Sequence, residues 1–352
     1  MTVFAPGYIQ EPYAEQEEQQ EIQIGQEWEM YRERIIRYKT SVRKMENGMV
    51  YPKMIIPEIL EVFEAEEFDC IHVHHPMFVG PAALYLGRKY DLPAIYTYHT
   101  KYEDYLHYIT PLKTIENAGS AGKEMFRAVK EKIVPGYMRW FTNQCGLILA
   151  PTASMKKMIS KGGTKTQTAV FPTGLEDSFY IQNEKEAKQI RKLYLQGRKH
   201  LFCTVSRLEE EKNPRFMLKG IARLKERMGA NFRVLFMGEG SMRNELEEMA
   251  EELGIAGEVI FVGNVKNERV KEYLRASELF LFASKSETQG IVLAEAFAAG
   301  NPVVAVRATG VEDIVVNGKN GYMTEEDTEE WTGKIIEVLR EENYGGMKIQ
   351  AE

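Results

Sequence analysis

The sequence is poor in cysteine, has no excess of positive charge and contains no long apolar run. Its three cysteines, Cys70, Cys145 and Cys203, stand far apart, in or beside apolar stretches. An odd, unclustered set suits neither a disulfide framework nor a zinc site, and points to buried thiols in a reducing cytoplasm. No segment is long and apolar enough to cross a bilayer, and no leader-type segment stands before the first strand, so membrane contact is expected to be peripheral, at the inner face. Lys and Arg number 45 against 52 Asp and Glu, a formal net charge of −7. That total excludes a general attraction to nucleic acid and leaves only local basic patches to act. What is present is a globular composition, 44% hydrophobic and 28% charged, over 352 residues, enough for two domains with separate cores.

The most informative stretch runs from Ser284 to Arg307. An apolar run, Leu279–Phe282, leads into a short polar turn, a small-residue helix opening at about Gly290, and a second apolar run at Pro302–Val306. Strand, loop, helix, strand is the unit of a parallel sheet. Glu287 lies in the loop ahead of the helix and Glu295 about a turn and a half inside it. Between them the backbone N–H groups of Thr288, Gln289, Gly290 and Ile291 stand at the positive end of a helix dipole, an anion site in outline. Acids near a helix start are common on solvated faces. Glu295, however, sits among Leu293, Ala294, Ala296, Phe297, Ala298 and Ala299, too apolar a surface for that, and a carboxylate there calls for a partner.

This run resembles the signature of family 4 retaining glycosyltransferases of the GT-B fold. The resemblance implies an α/β protein of two Rossmann-like domains with parallel sheets facing across a cleft, residues 1–178 on the acceptor side and 179–352 binding a nucleotide-sugar. It also implies that Glu287 holds sugar hydroxyls, Glu295 the ribose, and the amides of Thr288 to Ile291 the diphosphate. The Glu-Thr-Gln-Gly wording and the stretch Tyr98–Tyr108 are most similar to bacterial enzymes that glucosylate diacylglycerol. In that family an earlier strand and a glycine-rich loop precede the segment Thr2–Ala5, and a helix follows the last one here. The resemblance therefore implies a chain clipped at its start, lacking the first strand, and at its end.

Along the chain, Gln10–Glu29 reads as a polar surface loop running into a helix near Trp28–Tyr38, and Pro57 starts another helix. Strand Asp69–His74 ends in His72, His74 and His75. Alternating histidines suit a metal, but no carboxylate or cysteine at ligand spacing accompanies them, so strand-end packing or acceptor lining is expected and no metal is assigned. After a helix from about Phe78 to Tyr90, strand Pro93–Tyr98 delivers His99 to its carboxyl end, where ligands bind in open parallel sheets. The family's matching histidine implies a role for His99 at the reacting end of the sugar. Tyr102 and Tyr105 suit the rim of a site for an amphipathic acceptor. From Lys113 to Cys145, Lys123, Arg127 and Lys130 interleave with apolar and aromatic residues, a composition fitting a membrane-surface element or a core helix with a basic face. Pro135 is expected to kink it.

Leu147–Ala150 and Leu201–Val205 read as strands, with Ala169–Leu175 crossing between the domains. Beyond Val205, Arg207 and Lys212 extend from a strand-to-helix loop toward the phosphate region, where fixed cations stabilise a leaving diphosphate without a metal. Pairing with Glu209–Glu211 is the plainer alternative. Gly238-Glu-Gly240-Ser-Met-Arg243 half-matches a dinucleotide fingerprint, making an NAD enzyme the rival from another class. Arg243 at the third glycine's place, and Gly263 rather than an acid after strand Val259–Val262, speak against it. In a nucleotide-sugar site Gly238 and Gly240 approach the phosphate or base and Val262 flanks the uracil. Ala308–Ile314 and Asn317–Tyr322 read as turns, and Glu329–Arg340 as a final helix.

The implied activity is retaining transfer of a hexose, glucose from UDP-glucose, to a lipid such as diacylglycerol, with no cofactor. The alternatives are a catalytically impaired nucleotide-sugar binder and a transferase acting on a soluble or polysaccharide acceptor.

Overall fold

A computed structural model describes residues 1–6, 35–38, 40–44, 50–52, 57–77, 79–106, 109–181 and 183–340. The chain divides into two compact units. Met1–Tyr98, Tyr102–Leu149 and Ser160–Ala169 form the first; His99–Lys101, Ala150–Ile159 and Val170–Glu352 form the second.

The first unit is built on a four-stranded sheet, in the order β5 (Ile71–Val73), β6 (Ala94–Thr97), β7 (Leu147–Ala150), β8 (Thr168–Val170). β6 runs parallel to β5 and β7. Helix Pro57–Ala65 begins at its proline as expected, and helix Val79–Lys89 buries Leu84, Leu86 and Gly87. Two further strands, β1 (Val3–Pro6) and β2 (Ile35–Tyr38), pair in parallel with Val3 opposite Ile35. This corrects the helix expected near Trp28–Tyr38: its last four residues are strand. Tyr38 and Phe4 pack with Ile59, Phe63 and Leu86, and that burial outweighs local helical preference. Residues 28–34 and the polar loop Gln10–Glu29 lie outside the described residues. β3 (Thr40–Lys44) and β4 (Val50–Pro52) form an antiparallel pair that the sequence reading did not identify.

The basic segment is helical over Thr110–Glu116, Gly119–Ala128 and Val134–Thr142. The kink expected at Pro135 takes the form of a π turn, Val129–Ile133, in which the Val134 N–H donates to Val129 O five residues back. Pro135 has no N–H to donate, so a widened turn just ahead of it leaves no intact α-helical ladder to break.

The second unit carries a six-stranded sheet in the order β11 (Val259–Gly263), β10 (Phe232–Met237), β9 (His200–Val205), β12 (Leu279–Phe282), β13 (Val303–Val306), β14 (Gly321–Thr324). Every adjacent pair is parallel. Counted from β9 this is the doubly wound order 3-2-1-4-5-6, and the winding reverses between β9 and β12. Both faces are covered, so the strands read as unbroken apolar runs whose alternate residues enter different cores. Phe202, Val234, Phe236, Leu279 and Leu281 face helices Pro214–Met228, Arg243–Glu252 and Thr328–Val338. Leu201, Cys203, Leu235, Phe280 and Phe282 face helices Glu184–Leu195, Asn267–Ala276 and Ile291–Ala298. The segment Asn317–Tyr322, expected as a turn, runs into β14. A Cβ at Gly321 would lie 2.1 Å from Val303 O, so the glycine that looked like a turn residue is there for close pairing with β13.

Candidate functional site

The reversal point of the second sheet places two loops side by side, Ser206–Asn213 after β9 and Ala283–Gly290 after β12. They are stitched together through the backbone of Glu211, whose carbonyl accepts from Lys285 N at 2.9 Å and from Ser284 Oγ at 3.4 Å. Across this seam Lys212 Nζ lies 3.4 Å from Glu287 Oε2, with side chains only 15% and 16% exposed. The other Glu287 oxygen accepts from Thr288 N (3.3 Å) and Gly290 N (3.1 Å). The amides expected to lie open for an anion are thus partly engaged, by the carboxylate three residues before the N-cap Gly290. Gly290 adopts φ 75° as the cap of helix Ile291–Ala298, a conformation glycine takes without strain.

Arg207 meets one of the three acids that follow it. Its Nη2 donates to Glu211 Oε1 at 2.8 Å, and the Glu211 side chain is 4% exposed. Glu209 binds Ser241 through N and Oγ. Gln289 closes a two-point contact with one residue: its Nε2 donates to Thr173 O (2.6 Å) and its Oε1 accepts from Thr173 N (2.9 Å). Thr288 Oγ1 donates to His99 O at 2.8 Å, which brings the His99 backbone to the same loop. Ile291 is half exposed at the first helical position.

Glu295 stands on that helix beside buried Leu293, Ala296 and Phe297. Burial pushes its carboxyl up to about 7, and no hydrogen-bonding or ionic partner reaches it among the described residues. The partner its surroundings call for is not supplied by the described protein.

Gly238 and Gly240 have an internal reason to be glycine. A Cβ on Gly238 would meet Ser206 O at 2.1 Å and one on Gly240 would meet Leu208 O at 2.3 Å, so this loop lies directly on the Arg207 loop. Arg243 pairs with Glu239 and Glu247 and sits over the Phe261 ring, a use of the third fingerprint position that no dinucleotide glycine could serve. Val262 packs at the margin of the second core.

The residues assigned to acceptor and membrane lie in the first unit. Tyr102 opens a short 3-10 turn and packs edge-on to His75, with ring centres 5.4 Å apart. Tyr105 N donates to Tyr102 O. His107 and Tyr108 fall outside the described residues. His72 Nε2 bonds Thr97 Oγ1 at 2.7 Å, and burial lowers the His74 and His75 pKa values. Lys123 and Arg127 are exposed, whereas Lys130 is half-buried and paired with Asp104 at 3.5 Å. Among the described residues no helix is long and apolar enough to cross a membrane. Cys145 and Cys203 are buried and burial raises their thiols, but Cys70 is exposed, correcting the expectation of three buried thiols.

The sequence reading missed Glu211 and Gly310. The carboxylate of Glu211 anchors Arg207 and its carbonyl ties the two loops. A Cβ on Gly310 would meet Thr288 C at 2.8 Å, so that glycine lets the chain press against the Glu287 loop. Glu211 lay in plain view in the run Glu209–Glu211, but nothing local separates the buried member from its neighbours.

A doubly wound sheet with charged loops at its reversal point, in a chain with a second parallel-sheet unit, is the architecture of the GT-B fold. The chain belongs to glycosyltransferase family 4: residues 1–179 match the profile of that name, and residues 185–349 match the profile for glycosyl transferases group 1. It is similar to an α-monoglucosyldiacylglycerol synthase of Streptococcus pneumoniae, 30% identical over 80% of this chain and 61% of that one. A synthase of the same name from Acholeplasma laidlawii is 25% identical over 81% of this chain and 70% of that one. The chain thus spans 61% of the pneumococcal relative's length. Among solved structures, Anabaena HepE in complex with UDP-glucose superposes with a TM-score of 0.71 at 16% identity, covering 99% of this chain and 92% of that one. Sucrose-phosphate synthase from Thermosynechococcus elongatus gives 0.71 at 18%, covering 90% and 77%. At these identities the structural likeness concerns the fold.

Proposed function

We propose that this chain transfers a hexose, glucose from UDP-glucose, with retention at the anomeric carbon, to diacylglycerol or a similar lipid at the inner face of the membrane. The observation that carries the reading is the meeting of Lys212, Glu287 and the amides of Thr288 and Gly290, just ahead of helix Ile291–Ala298, at the sheet's reversal point, with Glu295 on that helix unpartnered among the described residues. A ligand with hydroxyls at both ends and a diphosphate between them matches this order of groups. The two similar glucosyldiacylglycerol synthases support the choice of sugar and acceptor.

In this reading the bond from the anomeric carbon to the diphosphate oxygen breaks, and the acceptor hydroxyl oxygen bonds to the same face of that carbon. The hydroxyl proton passes to the departing diphosphate. Lys212 and Arg207 neutralise the charge that develops there, and the amides of Thr288 to Ile291 add oriented dipoles once the Glu287 carboxylate turns from Thr288 N and Gly290 N to the sugar. Glu287 and His99 hold the sugar, and Glu295 anchors the ribose. Gly238, Gly240 and Val262 border the nucleotide. Tyr102 and Tyr105 face the acceptor, and no metal or cofactor takes part.

The test is a donor screen read by mass spectrometry, with diacylglycerol vesicles as acceptor and Glu287→Ala as control. Glucosyl-diacylglycerol from UDP-glucose, absent with the variant, is the expected product. Product on a soluble acceptor alone would reassign the acceptor. Donor binding without any product would make the chain a nucleotide-sugar binder.

A further inference from the structure

Three large apolar side chains of the helical run Gly119–Thr142 are exposed: Met125 at 50%, Ile133 at 61% and Trp140 at 46%. Their spacings are eight and seven residues. In an α-helix seven residues make nearly two turns, whereas eight overshoot by about 80°, so Met125 would point well away from the other two. The π turn Val129–Ile133 lies between Met125 and Ile133. One turn closed over five residues instead of four takes up a single extra residue, so the eight-residue step behaves as seven. The three side chains then fall on one line, turned away from buried Val134, Met138 and Phe141.

We propose that this line is a bilayer-docking edge, phased by the π turn, that enters the headgroup region of an anionic membrane. It rests on the lipid-acceptor reading above and says how the chain is held at that acceptor's plane. The occupant follows from charge. Gly119–Thr142 carries five cations against Glu124 and Glu131, a local positive excess within a chain of net charge −7. Lys132 and Arg139 are both exposed and, also seven apart, flank the apolar line along its length. A second copy of the chain would present the same positive edge and be repelled, whereas lipid phosphates complement it. A Trp beside long cations is the composition of an interfacial helix. Lys130, paired with Asp104, takes no part.

Co-sedimentation with vesicles of equal parts phosphatidylglycerol and phosphatidylcholine tests this, with phosphatidylcholine vesicles as control. The chain should bind the anionic vesicles. Ile133→Gln with Trp140→Gln should lower the partition constant at least roughly tenfold. Inserting an alanine after Glu131 is the sharper variant: it changes no charge, yet it turns Met125 about 100° off the line and should weaken binding. Because an insertion also strains the helix, Met125→Gln serves as a second, surface-only variant, with melting curves run on all. Equal vesicle binding by wild type and the substituted chains overturns the proposal. So does a concentration-dependent dimer in vesicle-free sedimentation that the substitutions abolish. Glucosyl transfer to detergent-dispersed diacylglycerol reads the parent function separately. Stripe variants should retain it, while its absence in a wild-type chain that still binds vesicles sinks the function and leaves this surface standing.

Discussion

Lys212 Nζ stands 3.4 Å from Glu287 Oε2, while the other oxygen of the same carboxylate accepts from the amides of Thr288 and Gly290. One acidic side chain thus joins the loops that follow β9 and β12 and holds the N–H of Gly290, the N-cap of the helix between β12 and β13. Any anion arriving at those amides meets a position already held by an internal carboxylate, and Lys212 is the cation both would share.

Glu287→Ala should abolish transfer while leaving the fold in place. Loss of a group that orients the sugar is expected to lower kcat/KM by about 100-fold or more. Stability should fall by about 1–2 kcal/mol, from the Thr288 and Gly290 amides left without their acceptor and the unpaired Lys212. Activity assays and denaturant melts on one preparation separate the two effects, and unchanged transfer would remove Glu287 from its role.

Glu295 makes stability depend on pH with a definite sign. Its folded carboxyl sits at about 7, above the ordinary value of 4.5, because burial disfavours the charge. The folded state therefore holds the proton more tightly than the unfolded chain. The penalty is absent below the unfolded value, grows as pH rises through the window between the two, and is complete above the folded one. Glu295→Gln stays neutral throughout. Its melting temperature should match wild type at the acid end and exceed it by a few degrees near pH ~8. Parallel curves would remove the buried charge from the account.

UDP-glucose should raise the melting temperature, since a ligand that binds only the folded state adds about 2.7 kcal/mol at a hundred times its Kd. Glu295→Ala should blunt this shift by weakening the grip on the ribose. A full shift in the variant would place the ribose elsewhere.

Two glycine substitutions should separate contact from conformation. Gly240→Ala sets a Cβ against the Leu208 backbone and should cost about 3 kcal/mol or more. Gly318→Ala meets nothing within 4 Å and bears only the strain of φ 76°, about 1 kcal/mol. Denaturation midpoints rank the pair, and equal losses would mean that the loop at Ser206–Leu208 yields.

The second unit was the more legible from its residues. Leu279–Phe282 has the strand limits read from its apolar run, and Leu201–Val205 is extended only by His200, because fully buried parallel strands leave uninterrupted apolar signatures. β2, β3, β4 and β14 escaped notice because each is three to five residues long and contains or adjoins residues common in turns or helices. Among the site residues, Glu287, Glu295, Lys212 and Gly290 were recognisable by type and spacing. Their partners were not: Gln289 grips Thr173, Arg207 turns to Glu211, and Lys130 turns to Asp104.

By itself the sequence determined the family and the parallel-sheet character, because these depend on residue type, period and local spacing. Only the tertiary structure decided which charges neutralise one another, that Glu295 has no partner among the described residues, and which exposed apolar groups share a line. Those outcomes depend on distances between segments far apart in the chain and on the phase added by one widened helical turn.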